Sequence, residues 1–124
     1  MPVKKNVLII GGVGDIGEAL ARRLCRNGWR VVVTSRSLDR ASALAREIGA
    51  VPAAVDIHDQ GSIEAAVVAA TEGDLLSGLA YCIGSIPLKP LASTTSEDML
   101  ETYRLNVVGA MLGVRAASAA LRAA

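Results

Sequence analysis

Three glycines, Gly11, Gly14 and Gly17, are the residues whose spacing most directly implies chemistry. They sit in the run Val-Leu-Ile-Ile-Gly-Gly-Val-Gly-Asp-Ile-Gly from Val7 to Gly17. A backbone free of side chains at such intervals turns sharply and approaches a ligand closely, and the first N–H groups of a helix that begins there point at an anion. The chemistry this serves is the cradling of a pyrophosphate, as in a dinucleotide. Gly11 permits the tight turn, Gly14 leaves nothing between backbone and ligand, and Gly17 lets helix and strand pack closely. Gly12, Val13, Asp15 and Ile16 complete the loop. The plainer alternative is a glycine-rich turn that joins a strand to a helix and holds nothing.

The second group with chemical meaning lies about twenty residues further on, where an Asp or Glu would accept both ribose hydroxyls of NAD. Ser35 stands there, followed by Arg36. A guanidinium beside a small hydroxyl suits a 2′-phosphate, so the pair favours NADP over NAD; the alternative is a solvated loop charge. Asp56, closing a third strand, either meets the adenine or caps a turn. Cys25 and Cys82 lack metal-ligand spacing and read as small buried hydrophobes, and His58 is solitary, so no metal site is expected.

These residues need strands and helices to hold them, and the chain supplies both in alternation. Lys4 to Ile10 and Arg30 to Ser35 read as buried parallel strands, and Val51 to Val55 and Leu75 to Ile83 as two more. Between them, helices are expected over Asp15 to Asn27, with Ile16, Leu20 and Leu24 facing the sheet; from Ser37 as cap to Ile48, with Gly49 as stop; and from Asp59 as cap to Thr71. Pro87 and Pro90 mark Ser85 to Thr95 as loop. A last helix starts at Ser96, or at Thr95 with Asp98 three residues on, and runs to the end. Met99, Tyr103, Asn106, Val107, Ala110 and Val114 form one stripe of it, and Leu100, Leu105, Val108 and Leu112 make other sides apolar, so it needs partners on several sides. The predicted fold class is α/β, a Rossmann-type doubly wound parallel sheet, incomplete, with four strands in the order 3-2-1-4.

Composition narrows the function classes. With 124 residues, 52% of them apolar, and a net charge of +1, the chain is one domain with a core and without a basic stripe for nucleic acid. Two Tyr and one Trp leave little for base stacking. The apolar run after the charged Met1 to Lys5 start breaks at a glycine after four residues, too early for a signal peptide or a membrane span; the expectation is a cytoplasmic protein with no membrane partner.

In order and spacing these residues resemble the short-chain dehydrogenases/reductases. The likeness covers the whole chain and about the first half of the family pattern. Gly11 to Gly17 are similar to its glycine loop, in the spacing of its extended and atypical branches. Asp56 with Ile57 matches its adenine-contacting pair. Tyr81, Cys82, Ile83 and Gly84 stand where it usually has Asn-Asn-Ala-Gly, which places Cys82 and Gly84 beside the cofactor. Asn106, Val107 and Gly109 match its Asn-Val-x-Gly segment, whose Asn supports a proton relay, so Asn106 is the one catalytic residue the resemblance implies here. The family's catalytic Ser and Tyr-x-x-x-Lys pair normally lie beyond position 124. No Tyr here has a Lys four residues later, and Tyr103 reads as a packed helix aromatic.

What the resemblance implies is the cofactor-binding portion of an NADP-dependent oxidoreductase that transfers hydride between nicotinamide and a small carbonyl or alcohol, truncated before its catalytic segment. Taken alone, such a chain binds cofactor weakly, associates with itself through the last helix, and turns nothing over. A stand-alone NADP-sensing module and a purely structural α/β domain are the readings from other classes.

Overall fold

Alternating residues of β1 (Asn6–Ile10) are buried on opposite faces, which requires a covering layer on each side. In the computed structural model, which describes residues 4–71 and 75–123, both layers are present. β1 and β2 (Arg30–Ser35) form the centre of a parallel sheet flanked by β3 (Val51–Ala54) and β4 (Gly78–Tyr81), in the order β3-β2-β1-β4. Leu8 registers with Val32 on one side and Leu79 on the other. Val7, Ile9, Val31 and Val33 point to one face and pack with Ala21, Leu44 and Ala45 of α1 (Asp15–Arg26) and α2 (Leu38–Ile48). Leu8, Ile10 and Val32 point to the other and pack with Ile63, Ala66 and Val67 of α3 (Gln60–Ala70) and Ala117 of the last helix. This is the doubly wound sheet in the expected strand order.

The helix ends follow local chemistry. Ser37 caps α2 by accepting the Arg40 N–H at 3.3 Å, and Gly49 stops it at a φ of 78° that a side chain would strain. At Thr95 the full capping box forms with Asp98. Asp59 precedes α3, but its side chain makes no cap bond; the Ser62 hydroxyl instead donates to the Asp59 and Asp56 carbonyls at 2.7 and 3.0 Å.

Several expectations are corrected. Ile16 is 78% exposed: the sheet-facing side of α1 is built on Gly17 and Ala21, with Leu20 and Leu24 partly buried beside them, because the helix starts too close to the β1 turn for a larger residue to fit. β4 is shorter than Leu75 to Ile83, with Leu75 in an isolated bridge. The last helix is not continuous. It comprises α4 (Ser96–Tyr103), a π-helical turn at Arg104–Val108, and α5 (Gly109–Ala123); the final residue, Ala124, lies outside the described residues. In α5 Gly109, Gly113 and Ala117 are the buried residues, a Cβ at Gly113 lying only 3.3 Å from the Ile10 side chain, while Met99, Leu100, Tyr103, Met111 and Val114 are exposed, the apolar sides for which the sequence asks further partners. Among the described residues no helix is long and apolar enough to cross a membrane.

Candidate functional site

The carboxyl ends of the strands meet at the glycine loop. Gly11 leaves β1 at a φ of +86°, and Thr34, buried in β2, ties down the turn: its hydroxyl donates to the Ile9 carbonyl at 3.0 Å and accepts from the Gly11 N–H at 3.3 Å, while its carbonyl accepts from Gly12 N–H at 2.9 Å. Gly12 is packed against β2, where a Cβ would come within 3.0 Å of Val33. At Gly17 a Cβ would overlap the Gly11 carbonyl and the Gly12 backbone. Gly14, the N-cap of α1, differs: a Cβ there would meet only the Gly11 oxygen at 3.9 Å, in otherwise open space. No side chain caps α1, so its first N–H groups are left for a ligand.

That open space is a cavity of about 420 Å³. Gly11, Val13 and Gly14 form one wall; Ser35 and Arg36, at the end of β2, form another. Ile57 supplies the floor, and Cys82 and Gly84 line the side beyond β4. Four other expected residues stand outside this lining: Gly12 is buried in the turn, Asp15 and Ile16 are exposed on the first turn of α1, and Asp56 lies at the rim between the lining residues Val55 and Ile57. The Asp56 carboxylate forms a turn, its Oδ1 accepting from the His58 N–H at 3.0 Å. That bond first, then the His58 ring, holds the carboxyl below its ordinary range.

The far wall is set by the π turn. In an α-helix Gly109 N–H would donate to the Leu105 carbonyl; here it donates to Arg104, and the Tyr81 hydroxyl donates to Leu105 at 2.5 Å instead. A Cβ at Gly109 would collide with that hydroxyl. Burial raises the Tyr81 phenol, so it stays a donor. Asn106, next in the turn, donates from Nδ2 to the Thr102 and Ser85 carbonyls at 2.9 and 2.5 Å and accepts the Ser85 N–H at 3.1 Å. Its amide thus shapes the loop after β4, beside Ser85 and Leu105 of the cavity lining. An ion pair between Lys89 and Asp98 holds the other end of this loop, and it is the first cause of the Asp98 carboxyl lying at about 2, ahead of the Thr95 N–H.

Two residues with polar chemistry at the site were absent from the sequence expectation. Arg40 lines the cavity with Arg36; its signal was its place in the first turn of the helix that Ser37 caps, directly after Arg36. His58 is not solitary: its Nδ1 lies 2.8 Å from Asp56 Oδ1 and its Nε2 2.8 Å from Glu101 Oε1. Only the Asp-x-His spacing hinted at half of that.

The comparisons with known proteins agree with this geometry. A serine 3-dehydrogenase from Agrobacterium fabrum is 34% identical over 111 residues, covering 84% of this chain and 43% of the relative. A dehydrogenase/reductase from Sinorhizobium meliloti superposes with a TM-score of 0.86 at 30% identity, over 96% of this chain and 50% of that one. BdcA in complex with NADPH superposes with a TM-score of 0.82 at 26% identity, over 94% of this chain and 47% of that one. The chain spans about half the length of the curated relatives it matches. The family model described as short chain dehydrogenase matches residues 5–124, so the chain belongs to the short-chain dehydrogenase family.

Proposed function

We propose that residues 1–124 are the NADP-binding domain of an oxidoreductase that moves hydride between nicotinamide and a small carbonyl or alcohol. The observation that carries the proposal is that the uncapped start of α1, Ser35 and two guanidiniums, Arg36 and Arg40, border one cavity. In this reading the pyrophosphate lies over Gly11, Val13 and Gly14, the adenine rests between Arg36 and Ile57 near Asp56, and the nicotinamide end extends past Cys82 and Gly84 toward Asn106. The bound cofactor supplies the hydride. Asn106 fixes the loop that borders the reacting end and orders a water in the proton path, while the proton donor comes from the family's Tyr and Lys, which no motif in this chain provides.

Binding titrations of NADPH and NADH test the assignment. Arg36→Ala is expected to weaken NADPH about tenfold or more and to leave NADH nearly unchanged, since a charge-assisted hydrogen bond contributes roughly 1.5–3 kcal/mol. Equal losses for the two cofactors would show that Arg36 acts structurally.

The same reading includes a partner for the last helix, as a second copy of the protein. Met99, Leu100, Tyr103, Met111 and Val114 leave an exposed apolar strip, large enough in kind to drive association. Sedimentation of the 124-residue chain is expected to show self-association that Met111→Glu with Val114→Glu reduces; a monomer at all concentrations would remove the partner from the proposal.

A further inference from the structure

The ring of His58 joins two parts of the molecule that are 43 residues apart in sequence, the turn after β3 and helix α4. Nδ1 faces Asp56 Oδ1 at 2.8 Å, and Nε2 faces both Glu101 oxygens, at 2.8 and 3.1 Å. Because a carboxylate only accepts, both ring nitrogens must carry protons for both contacts to be hydrogen bonds, so the complete bridge exists only as imidazolium. The bridge also decides how Asp56 is presented. Its Oδ1 accepts from the His58 N–H and from the ring, while no hydrogen bond among the described residues uses Oδ2. Oδ2 is therefore the oxygen left open to a further donor, on a residue next in sequence to Val55 and Ile57 of the cavity lining.

Resting on the nucleotide reading above, we propose that His58 is a positioning residue: as imidazolium it clamps Asp56 to Glu101, aims the free carboxylate oxygen at the adenine amino group, and so makes nucleotide affinity depend on pH. The charged neighbours are consistent in sign. Glu101 faces the ring from α4 and has Arg104, in the π turn, 3.9 Å away; Arg36, across the cavity rim, acts on Asp56 by charge; Asp59 follows in the chain. Hydrogen bonds to Asp56 and then Glu101 raise the ring above its ordinary 6.5. A raised value means that the clamp is complete below 6.5 and is lost as pH rises through the raised value, so affinity is higher on the acid side. Burial pushes the Cys25 and Cys82 thiols up, away from the range in which the His58 ring titrates.

His58 is the only histidine in the chain, so its ring signals report one site without ambiguity. The experiment follows those signals by NMR from pH 5 to 9 in the 124-residue chain, free and saturated with NADH, and measures the NADH dissociation constant across the same range. NADH is the probe because the 2′-phosphate of NADPH itself titrates near pH 6. Affinity is expected to fall about three- to tenfold from pH 6 to pH 9, and bound NADH to raise the His58 midpoint by the matching roughly half to one unit. Glu101→Gln, which leaves the cavity lining intact, is expected to lower the midpoint in the free chain. His58→Gln is expected to abolish the pH dependence and hold affinity near the alkaline value. Affinity that is constant from pH 6 to 9, beside a His58 titration that NADH does not move, would overturn the clamp and leave the nucleotide site standing. No binding of NADH or NADPH at any pH would overturn the nucleotide site and the clamp with it.

Discussion

A Gly14→Val chain is expected to keep the thermal stability of the parent and to lose cofactor binding by about a hundredfold or more. The two halves of this result come from one geometric fact. A Cβ at Gly14 meets only the Gly11 carbonyl oxygen, at ordinary contact distance, and otherwise points into open space, so the folded chain accommodates it. That space is the cavity itself, beside the uncapped start of α1. An isopropyl group there keeps a pyrophosphate from the first-turn N–H groups, whose bonds to an anion contribute roughly 1.5–3 kcal/mol each, and losing two of them passes the hundredfold mark. Calorimetric titration with NADPH, next to a melting curve of each protein, checks both halves. Unchanged affinity would remove the loop from the site; a large drop in melting temperature would show that Gly14 serves packing.

Gly17→Ala is expected to do the opposite, and its effect on stability is the largest of any single methyl addition to the loop. The added carbon would overlap the Gly11 carbonyl and the Gly12 backbone, none of which can rotate away as a side chain would. Relief requires α1 to move off β1, and overpacking of this kind costs about 3 kcal/mol or more. For a domain of this size that lowers the melting temperature by roughly 10 °C or more. Gly28→Ala is the matched control: its φ of +85° strains any side chain, but nothing lies within 4 Å, so the cost is limited to about 1 kcal/mol of backbone conformation. If the two variants melt together, the close approach of helix and strand at Gly17 has no energetic weight.

Contrasts of this kind explain what was readable in the sequence. The strand order, the boundaries of β2, the Ser37 and Thr95 caps and the Gly49 stop are local or periodic signals, and the structure shows each of them. Gly11 and Gly17 were legible for the same reason, since backbone conformation and closeness restrict residue type directly. The misreading at Ile16 arose where tertiary space overrode an apolar pattern. Ile16 is large and hydrophobic, yet β1 lies so near the start of α1 that Gly17 and Ala21 are buried there, with Leu20 and Leu24 partly buried beside them. Hydropathy reports what a residue prefers and says nothing of how much room a helix has beneath it. The Glu101 half of the His58 bridge and the Tyr81 bond to Leu105 join residues distant in sequence, and no spacing rule reaches across that distance.

The π turn at Arg104–Val108 also sets an angle. An α-helix advances about 100° per residue, so a turn that takes one additional residue sets everything after it back by about that amount relative to an unbroken helix. Beyond this offset α5 turns its line of small residues, Gly109, Gly113 and Ala117, inward, while Met99 and Tyr103 of α4 and Met111 and Val114 of α5 stay exposed. One wedge, made by a tyrosine hydroxyl and an asparagine amide, thus works as the indexing pin between the two ends of a rod: the face seen by the sheet and the face seen by any partner are chosen together at the point where Asn106 stands beside the cavity.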